Sequence, residues 1–173
     1  MNIFQRKYYH KLLQAQPKPR PAGGIPRVSS CENVCFLYHY TSENQMMQDW
    51  EGMKHFHDNF YVVLFYEGKP YQGQFFNKLN VFPFPAEQFN FFGRVPAETL
   101  SKLQSRHYGL LINTMDSMDE RMAVLHQWIP ADFKIGRNAD FSSLNDLSLL
   151  MHAEDGLSQY LQQVREYTDK LNG

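Results

Sequence analysis

The stretch that decides the fold is Phe60-Tyr61-Val62-Val63-Leu64-Phe65-Tyr66, an unbroken run of aromatic and aliphatic residues. Such a run favours a β-strand, and its lack of polar alternation indicates that both faces of the strand are buried. Strands of this kind occur in parallel sheets that helices cover on each side. The run therefore predicts a layered α/β domain.

The segments around this run alternate between strand and helix patterns. Apolar runs predict further strands at 34–38, 89–92, 108–113, 133–135 and 147–151, with an irregular edge crossing at 71–88 that holds one short strand around Val81. Amphipathic patterns predict helices at 42–56, 96–106, 118–128 and after Gly156. The inward face of the last helix is predicted to hold Leu157, Tyr160, Leu161, Val164 and Leu171. Short connections between alternating elements predict a three-layer Rossmann-like sandwich, with a mainly parallel sheet of five or six strands and helices on both faces. The order of the strands does not follow from these patterns.

A basic segment precedes the alternating pattern. Residues 1–15 have helical spacing, and residues 16–29 are rich in proline and glycine, which indicates a linker. The single α/β domain is then predicted to span 30–173. All eighteen acidic side chains of the chain come after residue 27, whereas six of the seventeen basic ones come before it or at it. The sequence thus places a basic arm on an acidic body.

The basic helix admits three interpretations. It can pack on its own domain or on a second copy, lie on an anionic membrane surface, or bind nucleic acid. Nucleic acid is the least favoured partner, because the acidic body would repel it. The residues expected to make the membrane or partner contact are Phe4, Arg6, Lys7, Tyr8, Lys11 and Leu12. The stretch around Pro83 and Pro85 is a second candidate for an apolar contact patch.

Targeting and cofactor signals are weak. No apolar run reaches the length of a membrane span, and the first 25 residues lack the features of a signal peptide. Cys31 and Cys35 are interpreted as reduced thiols, so we expect a cytoplasmic protein that reaches the inner membrane, if at all, as a peripheral one. His55 and His57 would point apart on a helix, and no phosphate-binding loop or nucleophile motif is present. No metal and no cofactor are predicted.

Ligands of open α/β sheets bind beyond the carboxyl ends of the strands, which defines the candidate site. The residues predicted there are His39, Ser42, Arg94, Asn113, Asp116, Arg137 and His152. Arginine beside a helix amino-terminus would suit an anionic group. Structural roles compete with this interpretation: Ser42 and Asp116 as helix caps, the histidines as hydrogen-bonded strand ends, and Arg137 in a surface pair with Asp132 or Asp140. Gly93 and Gly136 are interpreted as turn glycines.

Asn90-Phe91-Phe92-Gly93, Tyr108–Asn113, Ala131–Arg137 and the terminal helix resemble a family of small uncharacterised proteins from Bacteroidetes bacteria. The resemblance runs through most of residues 30–172 and implies a fold without an assigned activity. The strand Tyr108–Asn113 together with Ala131–Arg137 is also distantly similar to the amino-terminal half of heptosyltransferase-type glycosyltransferases. Those enzymes need a second Rossmann-like half to bind the sugar nucleotide, so this likeness implies shape and not sugar transfer.

Two functions are compatible with the sequence. The first is a non-enzymatic binding or scaffolding module that reaches the inner membrane through its basic helix. The alternative is a small enzyme, or a ligand-binding remnant of a glycosyltransferase-like fold, that binds a phosphate- or nucleotide-bearing ligand at the strand ends through Arg137, His152 and Asn113. Because no catalytic motif stands out, the sequence leaves open whether the protein is an enzyme.

Overall fold

Six parallel strands form one sheet in the computed structural model, which describes residues 3–14, 24–68, 73–137, 141–151 and 155–171. The order along the sheet is β3-β2-β1-β4-β5-β6, which is the order of the Rossmann fold. The predicted parallel α/β sandwich is therefore confirmed. The strands are β1 (Val34–His39), β2 (Phe60–Tyr66), β3 (Val81–Pro85), β4 (Tyr108–Asn113), β5 (Ala131–Gly136) and β6 (Leu147–Ser148).

Helices cover both faces of the sheet, because each face of the central strands is apolar. On β1, Phe36 and Tyr38 point into the core under one helix layer, and Cys35 and Leu37 point into the core under the other. The helices are α1 (Ile3–Gln14), α2 (Glu43–Phe56), α3 (Ala97–Gln104), α4 (Glu120–Trp128) and α5 (Leu157–Lys170). Helices α2 and α5 pack together on the first face, and α1 and α3 both pack against α4 on the second.

The segment after the edge strand does not have the predicted structure. The predicted strand at 89–92 is wrong: Phe89 ends a short 3-10 helix, and a turn follows in which the Asn90 side chain accepts hydrogen bonds from the amides of Phe92 and Arg94. Gly93 closes this turn with a φ of 71°, which confirms its role as a turn glycine. Of the phenylalanines that suggested a strand, Phe89 packs on neighbouring rings, and Phe91 and Phe92 are exposed.

The short strand expected around Val81 is β3, which pairs in parallel with β2 although it contains Pro83 and Pro85. The Val62 amide donates to the carbonyl of Asn80, so the backbone N–H and C=O groups of the even-numbered residues of this segment point toward β2. The two prolines therefore direct their missing N–H groups away from the sheet. An edge position makes both prolines compatible with the strand.

Several predicted boundaries also shift. The last strand ends at Ser148 and not at residue 151. Helix α4 begins at Glu120, and its cap is Asp119, whose side chain accepts from the Met122 amide, so the interpretation of Asp116 as the cap is wrong. Leu171, predicted to face inward, is 58% exposed, because α5 ends one residue before it.

The basic helix α1 packs on its own domain. Tyr9 is only 2% exposed, and Leu12 and Leu13 are half-buried beside it. The Gln127 side chain of α4 donates to the Leu13 carbonyl, and Arg6 lies 3.5 Å from a carboxylate oxygen of Glu120. The apolar stripe thus contacts the domain, although the Phe4 side chain lies outside the described residues.

The packed body also starts earlier than residue 30, because Val28, inside the predicted linker, is buried in the core. Residues 16–23 of that linker lie outside the described part of the chain. In the part that is described, no helix combines the length and the hydropathy needed to cross a membrane.

Candidate functional site

The strand order creates a gap at the carboxyl edge of the sheet. From β1 the chain proceeds outward through β2 and β3, and it then returns to the other side of β1 with β4. The helices that follow β1 and β4 leave toward opposite faces, so their connections diverge at this switch point. A cleft of about 370 Å³ lies there. Its polar lining includes His39 at the end of β1, Thr41 after it, Asp116 and Ser117 after β4, and Arg137 after β5.

Arg137 is the buried charge of this cleft, with 4% of its side chain exposed. Its Nη2 lies 2.6 Å from Oδ1 of Asp116 and donates to the carbonyl of Asp155 at 2.9 Å. The guanidinium also lies 5.2 Å from the ring centre of Tyr160. Its Nε has no hydrogen-bond acceptor among the described residues. The Asp116 side chain is 68% exposed, so the pair joins a buried cation to a carboxylate that reaches it from the solvent side.

Gly136 fixes the backbone just before Arg137. A Cβ added at this glycine would lie 2.6 Å from Cγ of Asn145, a distance that real Cβ atoms do not show. Asn145 is itself buried and donates to the Ser148 hydroxyl at 3.2 Å. The interpretation of Gly136 as a turn glycine is therefore wrong: it permits close approach of the segment before β6.

His39 at the end of β1 and Thr114 just after β4 also line the cleft. Burial lowers the pKa of His39, although Glu67 and Asp119 oppose this shift, so its imidazole is neutral near pH 7. The Thr114 hydroxyl donates to the carbonyl of Leu37 at 3.0 Å and ties β4 to β1 across the switch point. Both groups keep the edge polar without placing a second full positive charge beside Arg137.

Helix α5 opens onto the same cleft through Gly156 and Leu157. The first backbone amides of a helix carry partial positive charge, which favours an anion at this end. On the opposite wall, Asp49 accepts hydrogen bonds from the Tyr38 hydroxyl at 2.7 Å and from Gln45 at 3.0 Å. The carboxylate of Asp49 is thereby held at the wall.

The structure brings His39, Asp116 and Arg137 together, as the strand-end rule suggested. The other four predicted residues lie elsewhere or cannot be placed. Ser42 caps α2 by accepting from the Gln45 amide, and Asn113 is fully buried, where it accepts from the Met115 amide. Arg94 is exposed in the turn that packs on α1, and His152 lies outside the described residues.

Asp132, one of the two partners predicted for Arg137, pairs with His107 at 2.7 Å, so this prediction is wrong. Asp140, the other candidate, lies outside the described residues. Sequence reasoning also missed Gln45, Asp49 and the amino-terminus of α5 as parts of the cleft. The spacing of Gln45 and Asp49, one helical turn apart beyond the Ser42 cap, was the available signal.

The residues considered for metal binding have other contacts. His55 bonds to the Glu51 carbonyl, and His57 bonds to the carbonyls of Cys31 and Asn59. Burial raises the pKa of the Cys35 thiol to about 12, so this cysteine is held as a thiol and not as a reactive thiolate. Both cysteines are free.

Residues 2–171 match the model of a family of unknown function, DUF6913. The chain belongs to the DUF6913 family. The expected resemblance to an uncharacterised family is thus confirmed, and the DUF6913 match extends beyond the α/β body to include α1. In sequence, this DUF6913 chain matches no curated protein.

Two solved structures of E. coli heptosyltransferase WaaC resemble the DUF6913 chain in shape. One, with ADP-2-deoxy-2-fluoro heptose, has a TM-score of 0.52 at 11% identity and covers 80% of this chain and 48% of that one. The other, with ADP, has a TM-score of 0.51 at 13% identity and covers 82% and 47%. The DUF6913 chain therefore spans about half the length of WaaC, and at this identity the likeness shows the fold alone.

Proposed function

We propose that the chain is a ligand-binding domain whose cleft at the switch point holds a small polar molecule through an anionic group such as a phosphate. The observation that carries the proposal is the buried guanidinium of Arg137, which is paired with an exposed carboxylate at the mouth of the cleft. A fixed cation with a counter-ion that can leave is a suitable anion site.

Binding would proceed by exchange of counter-ions. Asp116 lies on the connection after β4, with most of its side chain in solvent, so its departure from Arg137 costs little. The anion of the ligand would take its place on the guanidinium fork and face the first turn of α5. Thr41 and Ser117 line the same cleft and supply hydroxyl groups for the uncharged part of the ligand.

The proposal concerns binding and includes no chemical step. The Thr114 hydroxyl is committed to a backbone carbonyl and the Tyr38 hydroxyl to Asp49. Burial, and next the hydrogen bond to Asp49, raise the pKa of Tyr38 above its ordinary value, so this phenol stays protonated. The proposal thus follows the ligand-binding alternative of the sequence analysis, with Arg137 as the cation and without Asn113, which is fully buried.

Thermal unfolding with inorganic phosphate, ADP and glucose 1-phosphate as probes tests the proposal. A probe at about a hundred times its Kd stabilises the folded state by about 2.7 kcal/mol, which raises the Tm by about 5–11 °C for a domain of this size. We expect Arg137→Gln to abolish this shift. Arg165→Gln is the control, because Arg165 also donates to a backbone carbonyl, that of Phe56, but is an exposed residue outside the cleft.

Replacing a buried arginine can itself weaken the fold, so a second variant keeps the test decisive. Asp116→Asn removes the competing carboxylate and leaves Arg137 in place. We expect it to tighten binding of the probe that shifts the Tm by up to about fivefold, the contribution of an ion pair whose carboxylate is exposed. The proposal is overturned if no probe shifts the Tm of either wild type or Asp116→Asn, or if Asp116→Asn binds more weakly than wild type.

A further inference from the structure

We propose that α1 and the turn after β3 form a docking surface for an anionic membrane. Its centre is an aromatic patch of Tyr8, Phe91 and Phe92, whose residues are 44%, 46% and 48% exposed. The rings touch in sequence: the centroids of Tyr8 and Phe92 are 5.0 Å apart, and those of Phe91 and Phe92 are 5.4 Å apart. Three half-exposed rings in contact form one apolar surface and not scattered side chains.

Exposed cations flank the aromatic patch. Lys7 and Lys11 lie on α1 before and after Tyr8, and Arg94 ends the turn that carries the two phenylalanines. Helix α1 contains no acidic residue, and the Glu120 carboxylate beside it is paired with Arg6. This combination of aromatic rings and lysines is complementary to the headgroup region of a bilayer that contains acidic lipid.

Hydrogen bonds and close packing fix the docking surface to the domain. The Asn90 side chain holds the amides of Phe92 and Arg94, and Gly93 approaches α1 so closely that a Cβ there would lie 3.0 Å from atoms of Tyr9 and Leu12. Tyr9 in turn packs on Phe89, with ring centroids 5.9 Å apart. Because the turn and the helix are fixed to each other, docking orders no additional chain.

This arrangement corrects the expected mode of membrane contact. Tyr9 is buried, and Leu12 and Leu13 are half-buried against the domain, so the helix cannot lay its whole apolar stripe into lipid. Among the apolar side chains of α1 that the structure describes, Ile3 and Tyr8 are exposed, and Tyr8 is joined by Phe91 and Phe92 of the turn. Contact would therefore be made by a small aromatic tip with cations around it, and the attachment would be reversible.

An anionic membrane fits this surface better than a nucleic acid does. The rings of Tyr8 and Phe92 meet at 85°, and those of Phe91 and Phe92 meet at 82°, so each ring packs edge to face against its neighbour. Nucleic-acid bases stack face to face on open aromatic rings. The edge-to-face packing of these three rings does not present such parallel faces. Insertion into the interface of a bilayer requires only apolar edges and nearby cations.

Vesicle flotation tests the surface. We expect the full chain to float with phosphatidylcholine vesicles that contain about 30% phosphatidylglycerol and not with phosphatidylcholine alone, and to be released by about 0.5 M salt. The double substitution Phe91→Ser with Phe92→Ser should lower the bound fraction on acidic vesicles at least about tenfold, as should Lys7→Gln with Lys11→Gln. Leu79→Ser is the matched control, because Leu79 is fully exposed in a different turn, before β3.

Several results would overturn the inference. Equal flotation of the wild type and the Phe91/Phe92 double variant would show that these rings do not bind lipid. Absence of flotation would do so too, whether or not the same residues bind an oligonucleotide of about 30 nucleotides or hold two copies of the chain together at high concentration. Arg137→Gln should float like the wild type, so this outcome is separate from that of the cleft.

Discussion

Gly136 and its contact with Asn145 set the position of the buried guanidinium at the cleft. The end of β5 carries Arg137 directly, and Asn145 presses on the backbone just before it. A residue with no charge and no side chain thus controls the geometry of the charged group. Its role is steric, and it can be tested without any ligand.

Substitution of Gly136 by alanine should destabilise the protein. The new methyl group would meet the buried Asn145 amide at 2.6 Å or less and force the two segments apart, at a cost of about 1–3 kcal/mol. Urea unfolding should show this loss, and the Tm should fall by about 2–4 °C for each kcal/mol. Gly24→Ala is the control, because nothing lies within 4 Å of a Cβ there. A loss no greater than that of the control would contradict the steric role of Gly136.

Local chemistry was readable from the sequence at the residue scale, and long-range partners were not. The Ser42 cap depends on the residue three positions later, so sequence spacing was enough to find it. The ion pair of Arg137 with Asp116 joins the ends of two different strands. Only the strand pairing decides which carboxylate lies beside Arg137, and so Asp116 was not predicted as its partner.

Helix α1 illustrates what determines an element. Its apolar spacing was sufficient to predict a helix, and the amphipathic stripe could have faced the domain, a second copy or lipid. In the structure Tyr9 is buried against the domain and Tyr8 is half-exposed, so the stripe faces the domain. Two adjacent tyrosines therefore have opposite roles, which gives a test with a built-in comparison.

Alanine at Tyr9 should lower the free energy of unfolding by about 3 kcal/mol, the usual loss when a buried ring is removed. Alanine at Tyr8 should cost less than about 1 kcal/mol, because that ring is already half in water. Urea unfolding of the two variants provides the comparison. Similar losses at the two positions would mean that α1 does not pack as described.

The segment 89–92 shows where an element was misassigned and why. Its phenylalanines have the composition of a strand, but they lie in a turn that the Asn90 side chain holds. The short strand expected around Val81 is present as β3, and its edge position lets both prolines point their missing donors outward. Which strand lies at the edge is a property of the whole sheet.

At the scale of the whole molecule, the alternation of strands and helices was enough to predict the parallel sandwich, whereas the strand order was not. Order depends on which crossover returns to which side of β1, and that choice leaves little trace in local sequence. The cleft is a product of this order, so the sequence could name His39, Asp116 and Arg137 without showing that they converge.

The sheet should be most stable at its centre. Phe36 and Leu37 of β1 are completely buried between two neighbouring strands, whereas β6 has two residues and one neighbour. We expect the β1 amides that bond to β2 and β4 to exchange with solvent only on global unfolding. Amides of residues 147–149 should exchange at least about tenfold faster through local opening. Hydrogen exchange followed by mass spectrometry measures this, and uniform protection across the sheet would contradict it.

The two prolines of β3 have a consequence for how this molecule meets other molecules in a crowded solution. An exposed strand edge ordinarily offers a template for intermolecular pairing and, at worst, for fibrils. Pro83 and Pro85 remove donors from one margin of the sheet, and the opposite margin is a strand of only two residues. Strand addition is thereby disfavoured at both margins of the described sheet. We expect copies of the chain to associate through helices or turns, whose side chains would then determine the specificity of binding.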